Sequence, residues 1–471
     1  MARLLIVDDD TAFRETLAET LQGLGHATVE AAGGHAALDV LRGGGSGSAR
    51  FDAVFLDHRM PGLDGLQTLS AMRSTLARVP PVIVLTAYAS GANTIEAMRL
   101  GAFDHLAKPI RRDAVAEVLA RVLRVAEADG PSTRRDTGAD DTGADDADDA
   151  PGELIGPSAA MREVHKRIGL AAASAAPVLV LGETGTGKEM VARALHRHSD
   201  RAGAPFVAIN CSAIPKELLE SELFGHVRGA FTGATGERAG CFRAADGGVL
   251  LLDEIGDMAP DVQAKILRAL QEGEVTPLGS HRTVKVDVRV VAATHRDLAA
   301  AVRAGQFRQD LLYRLDVLSI RVPPLRERRD DIVALAGHFL RRAAAPLAPK
   351  VLSEGAVRQL MGHDWPGNVR ELRNVMERCH ALVRHPVIGA ADLPFDADAP
   401  SPSPSGAAGT ASGAPSADWL GGELPAAVER LERLLIADAL DRARGNRAEA
   451  ARRLGIHRQL LYRKIAQYGL E

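Results

Sequence analysis

Two groups of residues in this chain have the types and spacing to handle phosphate. In the first, Gly182, Glu183, Thr184, Gly185, Thr186, Gly187 and Lys188 follow the apolar run Val178-Leu179-Val180-Leu181. A helical pattern from Glu189 to His198 comes next. Strand, glycine-rich turn and helix form the setting in which backbone N–H groups cradle phosphates. Lys188 would reach the β- and γ-phosphates of a nucleotide. Downstream, Val249-Leu250-Leu251-Leu252 runs into Asp253-Glu254. A doubled acid ending an apolar strand is a costly place for charge unless it is used. Asp253 would hold Mg²⁺, directly or through water, and Glu254 would activate the attacking water.

The second group is Asp8, Asp9, Asp57, Thr86 and Lys108. Carboxylates converging from different strands repel unless a divalent cation sits between them, and Mg²⁺ suits carboxylates plus phosphate oxygens. Asp57 would be the nucleophile toward a phosphoryl group. Lys108 would neutralise the product, and Thr86 would hydrogen-bond it. The elements that position these residues are short apolar runs, Leu4–Val7, Ala53–Leu56 and Val82–Leu85, separated by helical patterns. That alternation predicts a parallel sheet covered on both faces, with ligands at the carboxyl ends of its strands.

Length and composition fit this picture. A chain of 471 residues splits into several domains. Two stretches poor in large apolar residues read as linkers: an acidic one within 126–150, and a Pro/Ser/Gly one within 396–420. They leave three segments, 1–125, 151–395 and 421–471. The net charge of -4 averages over unequal parts. The three cysteines are scattered and form no CxxC pair, so neither a disulfide framework nor a cysteine metal site is indicated. No apolar run approaches the roughly 18 residues of a membrane span. A cytoplasmic protein without membrane contact is expected.

The last segment carries the basic footprint that the net charge conceals. From Arg442 to Lys464, eight Lys and Arg stand against Glu449 alone. Ala451, Gly455 and Leu461 fit two helices joined by a tight turn, with Ala450, Leu454, Ile456, Leu460 and Ile465 as the apolar interface. The second helix, His457 to Gln467, would present Arg458, Gln459, Tyr462, Arg463 and Lys464, with Arg447 in the helix before. Such residues read base edges or contact phosphate. An amphipathic run with Val428, Leu431, Leu434, Leu435 and Leu440 would pair two subunits.

Between the two parts of the nucleotide site lie Gly229, Ala230, Phe231, Thr232, Gly233 and Ala234. Nucleotide chemistry has no need of them. Small residues around one Phe and one Thr suggest a mobile tip that touches something else. This GAFTGA sequence resembles the loop by which NtrC-type bacterial enhancer-binding proteins grip the sigma-54 subunit of RNA polymerase.

The resemblance extends over the whole chain. Asp57-His58-Arg59-Met60-Pro61-Gly62 and Ala107-Lys108-Pro109 resemble the receiver of two-component response regulators, which a sensor histidine kinase phosphorylates. His105 stands where that family often has an aromatic switch residue. The middle segment resembles the AAA+ domain of sigma-54 activators, which have Glu rather than Ser/Thr after the loop lysine, here Glu189. By that resemblance Asn210 is the switch asparagine holding the catalytic glutamate, and Thr294 takes the sensor I place. His295 replaces an Asn common in relatives. Arg308 and Arg314 match arginine fingers, and Trp365-Pro366-Gly367-Asn368-Val369-Arg370 the lid motif, with Arg370 facing the nucleotide. Fingers acting in trans imply a homo-oligomeric ring. The last segment resembles a Fis-type helix-turn-helix.

The expected architecture is therefore multidomain α/β plus all-α: a flavodoxin-like receiver, an AAA+ domain with helical lid, and a helix-turn-helix. The expected function is phosphorylation-controlled, ATP-driven activation of sigma-54 RNA polymerase from enhancer DNA. The alternatives are a DNA-binding regulator using ATP only to oligomerise, and a ring ATPase that remodels other proteins.

Overall fold

The continuous apolar runs become parallel strands buried on both faces, as such runs do. The computed structural model describes residues 1–42, 50–76, 78–87, 90–128, 154–231, 236–344 and 349–395. In the last segment it describes 432–433, 435–437, 439–440, 443, 446–456 and 458–469. The chain forms two units, Met1–Ala397 and Asp398–Glu471.

The first unit opens with β1 (Arg3–Val7), α1 (Thr11–Gln22), β2 (Ala27–Ala31), α2 (Gly34–Arg42) and β3 (Ala53–Asp57). It continues through α3 (Gly65–Thr75), β4 (Val82–Thr86), α4 (Gly91–Arg99), β5 (Asp104–Ala107) and α5 (Arg112–Ala128). The sheet order β2-β1-β3-β4-β5 is the flavodoxin-like one. Val7 pairs with Leu56 and Thr86 with Ala107, so the acids after β1 and at the end of β3 reach one edge together.

The second sheet belongs to the ATPase-like segment. Its elements are α6 (Ala159–Ala172), β6 (Val178–Leu181), α7 (Lys188–Arg197), β7 (Phe206–Asn210), α8 (Lys216–Phe224), β8 (Gly225–His226), β9 (Arg238–Ala239) and α9 (Cys241–Ala244). Then come β10 (Val249–Asp253), α10 (Pro260–Glu272), β11 (Glu274–Val275), β12 (Val284–Lys285), β13 (Arg289–Thr294), α11 (Leu298–Arg303), α12 (Gln309–Leu315) and β14 (Leu318–Arg321). Its parallel order is β14-β6-β13-β10-β7. Asp253 stands beside Asn210 on one side and Ala293 on the other, while Thr294 pairs with Leu181. Register alone thus gathers the polar residues at one edge. The lid adds α13 (Asp331–Ala344), β15 (Val351–Leu352), α14 (Glu354–Gly362), α15 (Asn368–Leu382) and β16 (Val387–Ile388), packed around the buried Trp365.

Helix α4 packs along α6, joining the two sheets into one unit. Ile95 enters the apolar cluster of Met161, Val164 and Ile168. A Cβ on Gly169 would stand 2.3 Å from Ile95 O and 2.7 Å from Met98 Cβ. Lys166 Nζ lies 2.5 Å from the buried Asp104, which Arg121 also binds. His198 Nδ1 lies 3.6 Å from Glu96. His105 is buried at the back of this seam, its Nδ1 3.4 Å from Thr94 Oγ1 of α4. Burial holds its pKa down at about 4, so the ring is neutral.

Gly169→Leu is expected to part the two segments, since overpacking a filled contact costs about 1–3 kcal/mol or more. Small-angle scattering of the full chain should then give a larger radius of gyration; an unchanged curve refutes the seam as the joint. Acid should act the same way. Burial would raise Glu96, but His198 and Arg99 outweigh it and hold it at about 2, below the ordinary 4.5. Its contribution is whole above pH 4.5 and fades as the pH falls toward 2. Scattering on acidification checks that sign.

In the second unit, the last two helices are α16 (Arg447–Arg453) and α17 (Arg458–Tyr468). Gly455, at φ 67°, makes the turn between them. Ile436, Ala439, Ala450, Ala451, Leu461, Ile465 and Tyr468 form their core. Leu460, expected in that interface, is exposed, and Leu461 is buried there. Leu435 is exposed as well, while Val428, Leu431 and Leu434 lie outside the described residues.

Candidate phosphoacceptor, nucleotide and DNA-contact sites

Asp57 ends β3 and Lys108 follows β5. Lys108 Nζ lies 2.5 Å from Asp57 Oδ1 and 2.6 Å from Asp8 Oδ2. Burial raises the Asp57 carboxyl, and the charge of Asp8 adds to this; the Lys108 bond pulls against both without cancelling them. Burial disfavours the charged Lys108, but its bonds to Asp57 and Asp8 outweigh that and raise its pKa. Ligand oxygens of Asp8, Asp9 and Asp57 all lie within 4.8 Å of one another. Three such hard oxygen donors fit Mg²⁺. Thr86 is buried at the end of β4.

In the nucleotide site, Gly185 and Gly187 have φ of 79° and 102°, a left-handed backbone that glycine adopts freely. Lys188 is buried. Its Nζ donates to Gly182 O at 3.0 Å and Glu183 O at 3.3 Å, and meets Glu254 Oε1 at 3.3 Å. Thr186 Oγ1 donates to Glu183 O at 2.8 Å, closing the loop on itself. Glu189 turns away: its carboxylate pairs with Arg193 at 2.7 Å along the exposed face of α7. Glu189, grouped by sequence with the nucleotide-binding stretch, thus keeps only its backbone at the end of the loop.

The lid sits directly on the loop. Arg370 N donates to Gly185 O at 3.3 Å, and Asn368 Nδ2 reaches Thr184 O and Glu183 Oε2, each at 3.1 Å. Arg326 takes Glu183 in a two-pronged ion pair at 2.5 and 2.8 Å. Bonds to Arg326 and Asn368 hold Glu183 down at about 2. Neither Arg326 nor Asn368 stands out by residue type as a site residue in the sequence. Asn368 carries one signal, its place in the lid motif; Arg326 carries none, being 143 residues from its partner.

Two acids end β10 with opposite shifts. Burial raises Asp253, and the neighbouring Glu254 charge adds to it. Burial also pushes Glu254 up, but the His295 bond and then Lys188 outweigh it, so its pKa falls below the ordinary value. Asn210 was expected on Glu254. It donates instead to Asp253 Oδ2 at 3.0 Å, because strand register sets the two side by side. Its Oδ1 accepts from Ser212 N, Ser212 Oγ and Ala213 N at 2.8–3.1 Å, on the segment leading to α8. Thr294 is buried beside this edge, its Oγ1 accepting from Arg296 N.

From α8 the chain rises into a stalk, β8 paired with β9, that carries the GAFTGA loop. Gly229 has φ 83°, and Ala230 N donates to Val227 O at 3.1 Å. Phe231 is 38% exposed, with its ring edge-on to His226 at 5.1 Å. Thr232, Gly233 and Ala234 lie outside the described residues. Arg308 and Arg314 lie exposed at α12, one paired with Asp310 at 2.7 Å, the other donating to Leu270 O at 3.1 Å.

On α16 and α17, Arg447 and Arg458 each stand 5.6 Å from the exposed Tyr462 ring. Gln459 and Arg463 are exposed too, and His457 lies outside the described residues. Lys464 was expected to face outward, but it is partly covered and ion-paired to Glu432 at 2.5 Å.

Family models match along nearly all of this architecture. The response regulator receiver domain matches residues 4–120, the sigma-54 interaction domain 154–321, the AAA+ ATPase lid domain 326–409, and the bacterial regulatory protein, Fis family, 427–468. The transcriptional regulatory protein ZraR of Salmonella typhimurium is 42% identical over 466 residues, 98% of each chain. The chain belongs to the NtrC-type sigma-54-dependent response regulators. The regulator NtrC of the same organism is 41% identical, covering 99% of this chain and 98% of its own. Among solved structures, NtrX from Brucella abortus in complex with ADP is similar over 99% of both chains, at 30% identity and a TM-score of 0.52. The architecture is that of a two-component activator of sigma-54-dependent transcription, with a nucleotide-binding AAA+ fold and a Fis-type helix-turn-helix. No helix among the described residues is long and apolar enough to cross a membrane.

Proposed function

We propose that a histidine kinase phosphorylates Asp57 and so licenses ATP hydrolysis that drives the GAFTGA loop against sigma-54 RNA polymerase. Asp57 is the nucleophile. It attacks the kinase phosphohistidine, and the histidine nitrogen leaves. Lys108, already on Asp57 and Asp8, would neutralise the new phosphoryl oxygens. Asp8, Asp9 and Asp57 would hold Mg²⁺ there, which screens the carboxylates from the incoming phosphate.

In the ATPase segment, Gly182–Lys188 bind the phosphates of ATP, and Asp253 holds a second Mg²⁺. Glu254 takes a proton from the attacking water, and Arg308 and Arg314 reach a neighbour's site in a homo-oligomeric ring. Arg370 lies at the nucleotide from the lid side. Arg447, His457, Arg458, Gln459, Tyr462, Arg463 and Lys464 contact enhancer DNA in the cytoplasm, Lys464 after leaving Glu432.

One observation carries the coupling. Asn210 grips the acid of the nucleotide site with one end and the chain running to α8 with the other. A change at Asp253 on hydrolysis is therefore a change at the base of the loop stalk. Open-complex formation on a sigma-54 promoter tests the whole reading. Phosphorylated protein, sigma-54 holoenzyme and hydrolysable ATP should give open complexes; Asp57→Asn with a kinase, or a non-hydrolysable ATP analogue, should give none. Open complexes with the analogue would leave ATP a role in oligomerisation only.

A further inference from the structure

Asn210, matched by its motif to Glu254, lies on Asp253 instead, and the structure gives Glu254 another partner. His295 puts two donors on the same carboxylate oxygen: its backbone N–H at 3.2 Å and its ring Nδ1 at 2.7 Å from Glu254 Oε2. The other oxygen, Oε1, faces Lys188 Nζ at 3.3 Å. Asn210 is engaged with Asp253. Glu254 itself sits at φ 54°, a left-handed backbone uncommon outside glycine, so the loop after β10 aims this carboxylate unusually.

We propose that His295 is the positioning residue for the hydrolytic carboxylate, clamping Oε2 so that Oε1 is the oxygen that receives the attacking water. The proposal rests on the reading of this segment as an ATPase. Lys188 is the competing partner, and a nucleotide resolves the competition. Phosphates draw the ammonium from Oε1, while His295, on the far oxygen, stays. Two donors on one oxygen fix the carboxylate's rotation and keep it ionised, as a base must be. A carboxylate only accepts, so Nδ1 carries the proton, and a neutral His295 is the Nδ1–H tautomer. The ring is partly exposed, with 42% of its side chain open to solvent. It is therefore held by this bond rather than by burial. His295 acts through Glu254 and touches no reacting atom.

Steady-state hydrolysis by the full chain tests this. His295→Ala should lower kcat by about tenfold to a hundredfold, the scale of a misaimed group, with KM for ATP unchanged within about twofold. His295→Asn keeps a side-chain N–H and should recover most of the loss. An alanine variant with wild-type kcat overturns the proposal. So does a fall in kcat matched by a rise in KM that Asn fails to rescue, which is the mark of local misfolding. A second measurement needs no turnover. Imidazole ¹⁵N spectra of the nucleotide-free chain should contain one Nδ1–H histidine that is absent in His295→Asn and changes tautomer in Glu254→Ala. Finding His295 as the Nε2–H tautomer in the wild type overturns the clamp. A wild type that shows the Nδ1–H signal but hydrolyses no ATP refutes the ATPase reading and leaves the clamp standing.

Discussion

Replacing Glu254 by Gln is expected to lower ATP hydrolysis by about 10²–10⁴-fold, the contribution of a general base, while leaving ATP bound. The substitution keeps the shape and the acceptor oxygen, so His295 retains a partner. It removes the charge that takes up the proton. Binding depends on other groups: the N–H groups of the Gly182–Gly187 turn, and a Lys188 freed from its contact with Glu254. Affinity should therefore hold or rise. Phosphate release and fluorescent-nucleotide titration read the two effects separately. Unchanged turnover would assign the proton to another group and leave Glu254 a merely structural acid.

Arg308→Ala and Arg314→Ala should each bring hydrolysis down by a factor that reaches about 10³–10⁵ for an arginine finger. Their present partners do not bind them tightly. Arg308 rests in an exposed ion pair with Asp310, and Arg314 on a carbonyl of α10. Contacts this open to water hold weakly, so either guanidinium leaves readily for a neighbour's phosphate. Mixing gives the sharper result. A Glu254→Gln subunit lacks a working base but still offers its fingers; an Arg314→Ala subunit has the reverse defect. Mixed assemblies should regain activity that neither parent shows. Additive inactivity in the mixture would place the arginines in cis and remove the argument for a ring.

What could be read beforehand was whatever lies contiguous along the chain. The Gly182–Lys188 turn, the Asp253-Glu254 pair, the strand runs and the two terminal helices each occupy one short stretch, where composition and period are visible. The partners were less visible. Asn210 was placed on Glu254 and lies on Asp253, since the register of β7 against β10, not the residue type, decides which acid it faces. Glu189 directly follows Lys188, yet one step along α7 turns its side chain to Arg193, and only the fold shows that direction. Leu460 and Leu461 are adjacent, and a small error of helical phase exchanged the buried for the exposed one. The α4–α6 seam left no periodic trace at all. Its glycines, Gly91 and Gly169, look like helix weaknesses until the opposing helix is seen to need their missing Cβ atoms.

That seam decides where this protein can be cut and rejoined. Asp104 opens one four-residue strand and Lys108 follows it, the first bonded to Lys166 of α6 and the second to Asp57. The transplantable sensory module therefore runs through Ala172, not merely to the acidic stretch. Chimaeras spliced upstream of α6 should inherit a foreign surface and lose responsiveness; those spliced after it should carry their signal with them.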